Sequence, residues 1–297
     1  MKKILITGSN GQLGRALTAL LSAETAYELL RTDVGQDPET GIRPLDITDV
    51  AQVREMVARE KPDILVNCAA YTAVDKQEQD VDLSYRINAI GPRNLAIAAQ
   101  ESGAELVHVS TDYVFDGEGD RPYIEFDAPG PVSVYGRTKL AGERFVQEFS
   151  DRHYILRTAW LYGDGHNFVR TMLRLSDTHE EVSVVDDQHG SPTSAAELAR
   201  IIAGLMGTGN YGLFHATCEG ETDWASFTEE IFRVAGRSTR VRHVTSEEYG
   251  RMNPQSAKRP HNSRLDNYML RLTGSGLLFA DWHEALQQYL IQEGVCT

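Results

Sequence analysis

The chain alternates between short apolar runs and longer segments whose apolar residues recur with helical spacing. The run "KKILITG" precedes the amphipathic "GQLGRALTALLS", and a second amphipathic segment, "VAQVREMVARE", ends near Lys61 and Pro62. The runs "DILVNCAA" and "AELVHVST" are continuously apolar, and "SYRINAIGPRNLAIAAQESG" between them has a helical pattern. Strands that are apolar on both faces are typical of parallel sheets covered by helices on both sides. The pattern predicts an α/β fold with a doubly wound parallel sheet.

The pattern changes in the second half of the chain. The segment "DYVFDGEGDRPYIEFDAPGP" is rich in Gly, Pro and acids, and connections of this length in compact domains are usually functional or disordered. "YILRTAWLYG" predicts another strand, and beyond about Gly163 helical segments alternate with short strands. We therefore expect a first domain over 1–162 and a smaller α/β lobe over 163–297, with part of the lobe able to return to the first domain.

Composition and charge exclude several classes of partner. The 297 residues are 41% hydrophobic and 24% charged, as in a globular protein, and the net charge of −14 disfavours nucleic acid and anionic membrane surfaces. No apolar run is long enough to span a bilayer, and the N-terminus lacks the apolar core of a signal peptide. Three widely separated cysteines, Cys68, Cys218 and Cys296, predict reduced thiols and a cytoplasmic protein. No cysteine or histidine cluster has metal-ligand spacing, so we expect no metal site.

The stretch "TGSNGQLG" is the first candidate for chemistry. Gly8, Gly11 and Gly14 follow a predicted strand and open a predicted helix, the context in which such glycines allow a tight turn, close approach of a pyrophosphate and helix–strand packing. Asp33, which ends the second strand, stands where an acidic residue meets an adenosine ribose. A glycine-rich turn without a ligand is the alternative, but the context favours a bound dinucleotide. The expected cofactor contacts in this stretch are Gly8, Asn10, Gly11, Gln12, Leu13 and Gly14.

Two further positions bear on the adenosine end of the cofactor. Asp46 and Ile47 in "PLDIT" can lie beside the adenine, or Asp46 can simply cap the helix that begins near Asp49. Asp33 favours NADH because a 2′-phosphate would meet like charge, whereas Arg31 can pair with that phosphate. We therefore expect either NADH or NADPH to serve.

A tyrosine and a lysine lie four residues apart in "VSVYGRTKLAGE". Tyr135 and Lys139 share one face of a predicted helix. An ammonium about 4 Å from a phenolate, at an effective dielectric constant near 20, interacts by roughly 4 kcal/mol, or about three pK units before desolvation is subtracted. We therefore expect Lys139 to bring the pKa of the phenol towards neutrality and to make Tyr135 a usable acid. A solvated helix face is the alternative, and the upstream dinucleotide pattern argues against it.

Substrate phosphates need positive partners, and "SAKRPHNSRL" supplies Lys258, Arg259 and Arg264 on an otherwise acidic chain. A solvated basic loop explains these residues equally well. Arg259 and Arg264 are the predicted substrate contacts.

Several ordered motifs together resemble the extended short-chain dehydrogenase/reductases, and more narrowly the dTDP-4-dehydrorhamnose reductase family. The resemblance covers essentially the whole chain through "NCAAYTAVDKQE", "VSTDYVFDG", "VYGRTKLAGE", "RTAWLYG", "NFVRTMLRL", "DDQHGSPTSAAELA" and "RPHNSRL". It implies a Rossmann NAD(P)-binding domain over 1–162, a mainly substrate-binding lobe over 163–297, and reduction of dTDP-4-dehydro-L-rhamnose to dTDP-L-rhamnose by NADH or NADPH. The implied partner is a small nucleotide sugar, and a homodimer is compatible with the family.

The same resemblance implies roles for individual residues. Tyr135 would donate the proton, Lys139 would assist it and bind the nicotinamide ribose, and Thr111 would hold the substrate carbonyl. Asp112 and Trp160 would lie beside the sugar. Ala70, Tyr71 and Thr72 would line the cofactor site.

Two other function classes stay open from the sequence. One is a non-catalytic regulatory subunit on the same fold, against which the intact Thr111, Tyr135 and Lys139 argue. The other is a sugar-nucleotide epimerase or dehydratase, and a dehydratase would be expected to carry two successive acids after the threonine. Here Asp112 is followed by Tyr113.

Overall fold

The computed structural model describes residues 1–35, 40–253 and 256–296. Its strands are β1 (Lys2–Thr7), β2 (Tyr27–Asp33), β3 (Arg43–Pro44), β4 (Ile64–Asn67), β5 (Glu105–Thr111), β6 (His153–Thr158), β7 (Leu161–Tyr162), β8 (Glu181–Val185), β9 (His189–Gly190), β10 (Thr193–Ser194), β11 (Gly212–His215), β12 (Thr222–Asp223) and β13 (Arg240–Val244). Its α-helices are α1 (Gln12–Ser22), α2 (Val50–Glu60), α3 (Val74–Gln77), α4 (Val81–Tyr85), α5 (Gly91–Ser102), α6 (Val134–Phe149), α7 (Phe168–Ser176), α8 (Ala195–Leu205), α9 (Trp224–Val234), α10 (Ser246–Met252), α11 (Tyr268–Leu272) and α12 (Trp282–Gln292).

The central sheet has seven parallel strands in the order β11-β6-β5-β4-β1-β2-β3. The chain builds β1, β2 and β3 in one direction and then returns to place β4 on the other side of β1. In open sheets of this kind, ligands bind outside the carboxyl ends of the strands where the order reverses. The predicted doubly wound α/β fold is confirmed.

Successive residues of the central strand β1 are buried against opposite faces of the sheet, and helices cover both faces. Ile4 and Ile6 belong to one core cluster, with α1 and α8, while Leu5 belongs to another, with α2 and α5. Successive side chains of a strand point to opposite faces, so a strand buried on both sides must be apolar throughout. Helix α6 begins where the Ser133 hydroxyl accepts a hydrogen bond from the Gly136 amide at 3.1 Å.

The second half of the chain contributes to both parts of the molecule. Strand β11 pairs with β6 at the edge of the central sheet, and α8 packs on α1. The parallel pair β8–β13 and helices α7, α9 and α10 lie outside that sheet. The division of the chain at residue 162 stays a prediction, and its second part includes elements that complete the sheet. Within the described ranges, no helix has the length and apolarity that a membrane span requires.

Candidate active site

A cleft of about 550 Å³ opens at the carboxyl ends of β4, β5 and β6. It brings together eleven of the predicted site residues: Asn10, Gly11, Gln12, Leu13, Ala70, Thr72, Thr111, Asp112, Tyr135, Lys139 and Trp160. Other predicted residues do not line it: Gly8, Gly14, Asp33, Asp46, Ile47, Tyr71, Arg259 and Arg264. The glycine loop, the Tyr–Lys pair and the strand-end threonine therefore share one cavity.

The glycine loop has the geometry that its spacing predicts. Gly8 has a φ of 65°, in the left-handed region, and a Cβ atom there would lie 2.7 Å from the Ala69 backbone. A Cβ atom at Gly14 would lie 2.3 Å from the Gly8 carbonyl oxygen, so this glycine is required for packing. At Gly11 a Cβ atom would approach only that carbonyl, at 3.2 Å, and the backbone is open towards the cleft. This loop leads directly into α1, whose N-terminal amides are available to an anion.

The loop is tied to the end of β2 through Asp33. One carboxylate oxygen of Asp33 accepts a hydrogen bond from the Asn10 amide at 3.0 Å, and the other accepts one from the Val34 amide at 2.8 Å. Arg31 donates a hydrogen bond to the Thr40 carbonyl. Asp33 is therefore placed beside the glycine loop, and its contact with a ribose stays a prediction.

The structure separates the two interpretations of Asp46. Asp49 caps α2 by accepting hydrogen bonds from the Ala51 and Gln52 amides, at 2.9 Å and 3.1 Å. Asp46 instead accepts hydrogen bonds from the amide and hydroxyl of Thr48, and Ile47 is buried. Helix capping is thus not the role of Asp46, while contact of Asp46 or Ile47 with adenine stays untested.

A buried asparagine holds the segment that follows β4. The Asn88 amide oxygen accepts a hydrogen bond from the Tyr71 amide at 2.8 Å, and its nitrogen donates to the Tyr71 carbonyl at 3.0 Å. Asn88 lies in a π-helical turn, Arg86–Ile90, between α4 and α5, and such turns are frequent at functional sites. Its contact fixes the backbone between Ala70 and Thr72, which line the cleft. No pattern in the sequence marks Asn88 as part of the site.

The catalytic candidates meet at the end of β5. The Thr111 hydroxyl donates to Asp112 Oδ1 at 2.8 Å and accepts from the Tyr113 amide at 3.2 Å. The rings of Tyr113 and Tyr135 meet edge to face, with centroids 5.6 Å apart. The Lys139 ammonium donates a hydrogen bond to the Val109 carbonyl at 2.5 Å.

The expected depression of the Tyr135 pKa by Lys139 is wrong for this arrangement. Burial raises the pKa of Tyr135 to about 12, the Thr111 hydroxyl opposes that rise, and the Asp112 carboxylate adds to it. Lys139 is itself buried, and desolvation lowers its pKa to about 8. Burial is therefore the largest influence on the phenol, and the Lys139 ammonium is hydrogen-bonded to the Val109 carbonyl. Tyr135 therefore stays protonated at neutral pH and can act as an acid.

Asp112 is a buried acid beside the reacting groups. It is 2% exposed, and burial raises its pKa to about 6. Its Oδ1 accepts a hydrogen bond from the Thr111 hydroxyl and so orients that hydroxyl. Contact of Asp112 with a sugar stays a prediction.

Trp160 forms one wall of the cleft in a strained conformation. Its φ is 47°, and a non-glycine residue in the left-handed region costs about 1–3 kcal/mol. Its indole stacks on that of Trp224, with centroids 3.5 Å apart and an angle of 8° between the planes. Trp224 was not predicted as a site residue, yet it lines this cleft and a second cavity of about 850 Å³. It is the first residue of α9, and the apolar pattern of that helix does not indicate that this residue faces a site.

The basic segment that follows residue 255 is divided by the fold. Lys258 and Arg259 line the second cavity, and Arg259 donates a hydrogen bond to Asp75 Oδ1 at 3.0 Å. Arg264 lines neither cavity. Its guanidinium donates to both oxygens of Glu221, at 3.1 Å and 3.2 Å, and to the Asp120 carbonyl at 2.8 Å. The structure does not bring Arg264 to the site, and its phosphate contact stays untested.

The cleft fits a dinucleotide on the chemistry of its lining. The exposed backbone at Gly11 lies at a helix N-terminus, where a pyrophosphate can approach closely. Among the described residues, Gln12 Oε1 and Thr158 Oγ1 are buried in the cleft lining without a hydrogen-bond partner. Buried polar atoms normally have partners, so these are available to a ligand. Within the same described ranges, no group of three or more His, Cys, Asp or Glu side chains is placed to hold a metal ion.

Comparison with known proteins agrees with this geometry. Residues 1–294 match the family model described as the RmlD substrate binding domain. A dTDP-4-dehydrorhamnose reductase of Streptomyces griseus is 46% identical over 292 residues, which cover 96% of this chain and 91% of the relative.

Two solved structures show the same fold over nearly the full length. A dTDP-4-dehydrorhamnose reductase from Clostridium acetobutylicum superimposes with a TM-score of 0.92 at 50% identity, over 98% of this chain and 99% of the other. One from Bacillus anthracis, solved in complex with NADP, has a TM-score of 0.89 at 43% identity, over 98% and 99%. The resemblance drawn from the motifs is confirmed: the chain belongs to the RmlD substrate binding domain family, within the extended short-chain dehydrogenase/reductases.

Proposed function

We propose that the protein reduces the 4-keto group of dTDP-4-dehydro-L-rhamnose, using NADH or NADPH, to give dTDP-L-rhamnose. The observation that carries this proposal is the single cleft in which the glycine loop, Thr111, Tyr135 and Lys139 meet. The reductases named above, similar over nearly the full chain, support the choice of substrate.

Different residues of the cleft have different roles in the reduction. When bound, the reduced nicotinamide supplies a hydride to the ketone carbon. Tyr135 supplies the proton: its O–H bond breaks as an O–H bond forms on the sugar, and the ketone becomes a secondary alcohol. The Lys139 ammonium, one turn further along α6, stabilises the phenolate that remains. Thr111 directs the carbonyl oxygen towards the phenol by turning its hydroxyl from Asp112 to the substrate.

Burial serves this chemistry in two ways. Lys139 is buried and Tyr135 half-buried, so negative charge that develops on the phenol would be attracted to the ammonium more strongly than in water. A pKa of about 12 keeps the phenol protonated until charge develops on the substrate oxygen. We propose that the depression of the phenol's pKa occurs with the reaction rather than in the resting site.

The decisive experiment is turnover with the 4-keto product of dTDP-glucose processing. Oxidation of NADH or NADPH in stoichiometric amount, with dTDP-L-rhamnose identified by NMR, is the expected result. Tyr135→Phe serves as the matched inactive control. Conversion of the sugar without net cofactor oxidation would instead indicate an epimerase or dehydratase, and binding without conversion would indicate a regulatory subunit.

Location and assembly belong to the same proposal. The free cysteines Cys68, Cys218 and Cys296 support a cytoplasmic protein. A homodimer is the assembly that the family resemblance allows, and light scattering of the purified protein tests it.

A further inference from the structure

Helix α6 carries a third polar side chain on the face that bears the catalytic pair. Tyr135, Lys139 and Glu143 are spaced four residues apart, so they form a stripe along one side of the helix. That side packs against β5 and β6. Glu143 is 1% exposed, one turn deeper than Lys139.

Glu143 joins the helix to two strands at the level of the catalytic threonine. Arg157 of β6 donates two parallel hydrogen bonds to its carboxylate, at 2.9 Å and 2.7 Å, and Ser110 of β5 donates a third at 2.5 Å. Ser110 and Arg157 are register partners, and the next pair in the register is Thr111 with Thr158. One carboxylate therefore fixes α6 and both strand ends immediately behind the cleft.

A buried ion pair is a poor way to gain stability. Removing two charges from water costs more than their attraction often returns, and apolar residues of similar volume commonly stabilise a core as well or better. Arg157 is 3% exposed, and among the described residues its Nη1 has no hydrogen-bond partner. The position of this pair beside the catalytic residues suggests a functional reason for it.

The charge around Lys139 gives that reason. The titratable groups that interact with the ammonium are Glu143 on its own helix, Cys68 after β4 and His108 on β5, and Tyr135 lies one turn earlier on the same helix. Burial raises the pKa of the Cys68 thiol to about 12 and holds the pKa of His108 well below its usual value, so both are neutral. Tyr135 is also protonated. The carboxylate of Glu143 is thus the negative charge that opposes desolvation of the ammonium.

We propose that Glu143 is a positioning residue for the reduction: it keeps Lys139 protonated and, through Ser110, holds Thr111 in place. This inference rests on the proposed function for its kinetic part. Glu143 does not line the cleft, so its carboxylate acts through the residues that do.

The test compares the pH dependence of kcat/KM for the cofactor in wild type and Glu143→Gln, which preserves volume. In wild type we expect kcat/KM to fall as pH rises through about 8, because Lys139 loses its proton there. In Glu143→Gln we expect this fall about one pH unit lower, so that activity is reduced about five-fold at pH 8 and approaches a ten-fold reduction above about pH 9. Ser110→Ala should lower kcat while leaving the pH of the fall unchanged, since it removes one hydrogen bond and no charge.

Two further variants separate charge from structure. Glu105→Gln removes another buried carboxylate of β5, one paired with Arg152 at the opposite end of the strand, and should lower the melting temperature without moving the pH profile. Glu143→Gln/Arg157→Gln leaves no unpaired charge, so stability should recover. Loss of the Arg157 cation opposes the loss of the carboxylate, so the fall in activity should lie between those of wild type and Glu143→Gln. A wild-type profile in Glu143→Gln would overturn the proposal.

A readout without turnover distinguishes failure of this inference from failure of the proposed function. The chain has six lysines, so the Cε signal of Lys139 can be assigned in labelled protein by comparison with Lys139→Arg. Its titration should move to lower pH in Glu143→Gln even if the wild-type protein shows no reductase activity. An unchanged titration would refute the role of Glu143 whatever the enzyme reduces.

Discussion

Asp33 should set the preference between NADH and NADPH, and removing its charge should shift that preference towards NADPH. Its carboxylate is tied to the glycine loop through the Asn10 amide at 3.0 Å, at the end of β2 where the adenosine ribose is expected. A ribose 2′-hydroxyl can donate a hydrogen bond to this carboxylate. A 2′-phosphate would bring negative charge close to it.

The size of the effect follows from Coulomb's law. A phosphate of roughly −1.5 charge about 6 Å from a carboxylate is repelled by about 1 kcal/mol in water, and by about 4 kcal/mol at an effective dielectric constant near 20. Asp33 is only half-buried, so the lower part of this range applies. Arg31 lies two residues earlier in β2, where its guanidinium can offset part of the repulsion. We therefore expect Asp33→Ala to change the NADPH/NADH ratio of kcat/KM by about 1–2 kcal/mol, or about ten-fold.

The assay is kcat/KM for both cofactors in wild type, Asp33→Ala, Asp33→Asn and Arg31→Ala. Asp33→Asn keeps an acceptor for the Asn10 amide and removes only the charge, so it should shift the ratio as far as Asp33→Ala does. Arg31→Ala should shift it towards NADH. A shift in Asp33→Ala but not in Asp33→Asn would mean that loop geometry, not charge, sets the preference. A ratio that none of the three substitutions moves would refute the assignment of the ribose site to the end of β2, and the neighbourhood of Asp46 would then be tested.

Three further outcomes are expected. Tyr135→Phe should fold normally, as judged by its melting temperature, and lose about 10²-fold or more in kcat because the proton donor is gone; near wild-type turnover would remove Tyr135 from the mechanism. Lys139→Met should show a similar loss that no longer depends on pH near 8, since the titrating ammonium is absent; retention of the wild-type alkaline fall would assign it to another group. Dialysis against a chelator should leave rate and size unchanged, because the acids of the cavity that Arg15 lines are already paired with guanidinium groups, Asp164 with Arg15 at 2.9 Å and Glu197 with Arg200 at 2.7 Å; recovery by magnesium of a lost activity would contradict this.

Short-range patterns in the sequence determined much of the site. The glycine spacing fixes a local turn, because Gly8 must adopt a positive φ and Gly14 must leave room for the loop backbone. The four-residue interval between Tyr135 and Lys139 places both on one helix face whatever lies around them. Continuous apolar runs predicted the parallel sheet, because the central strands β1, β4 and β5 are buried on both faces. Each of these depends on neighbours along the chain and on general packing rules.

Only the tertiary structure decided which distant residues meet. Arg157 is fourteen residues from Glu143 and Ser110 thirty-three, and nothing local marks the three as one buried network. Trp224 lies at the cleft because α9 packs beside β8 and β13. Arg264 lies outside the cleft because its guanidinium binds Glu221 and the Asp120 carbonyl. The direction of the Tyr135 pKa shift also required the fold. The spacing fixes which groups are near, but the depth of burial determines whether desolvation outweighs their attraction.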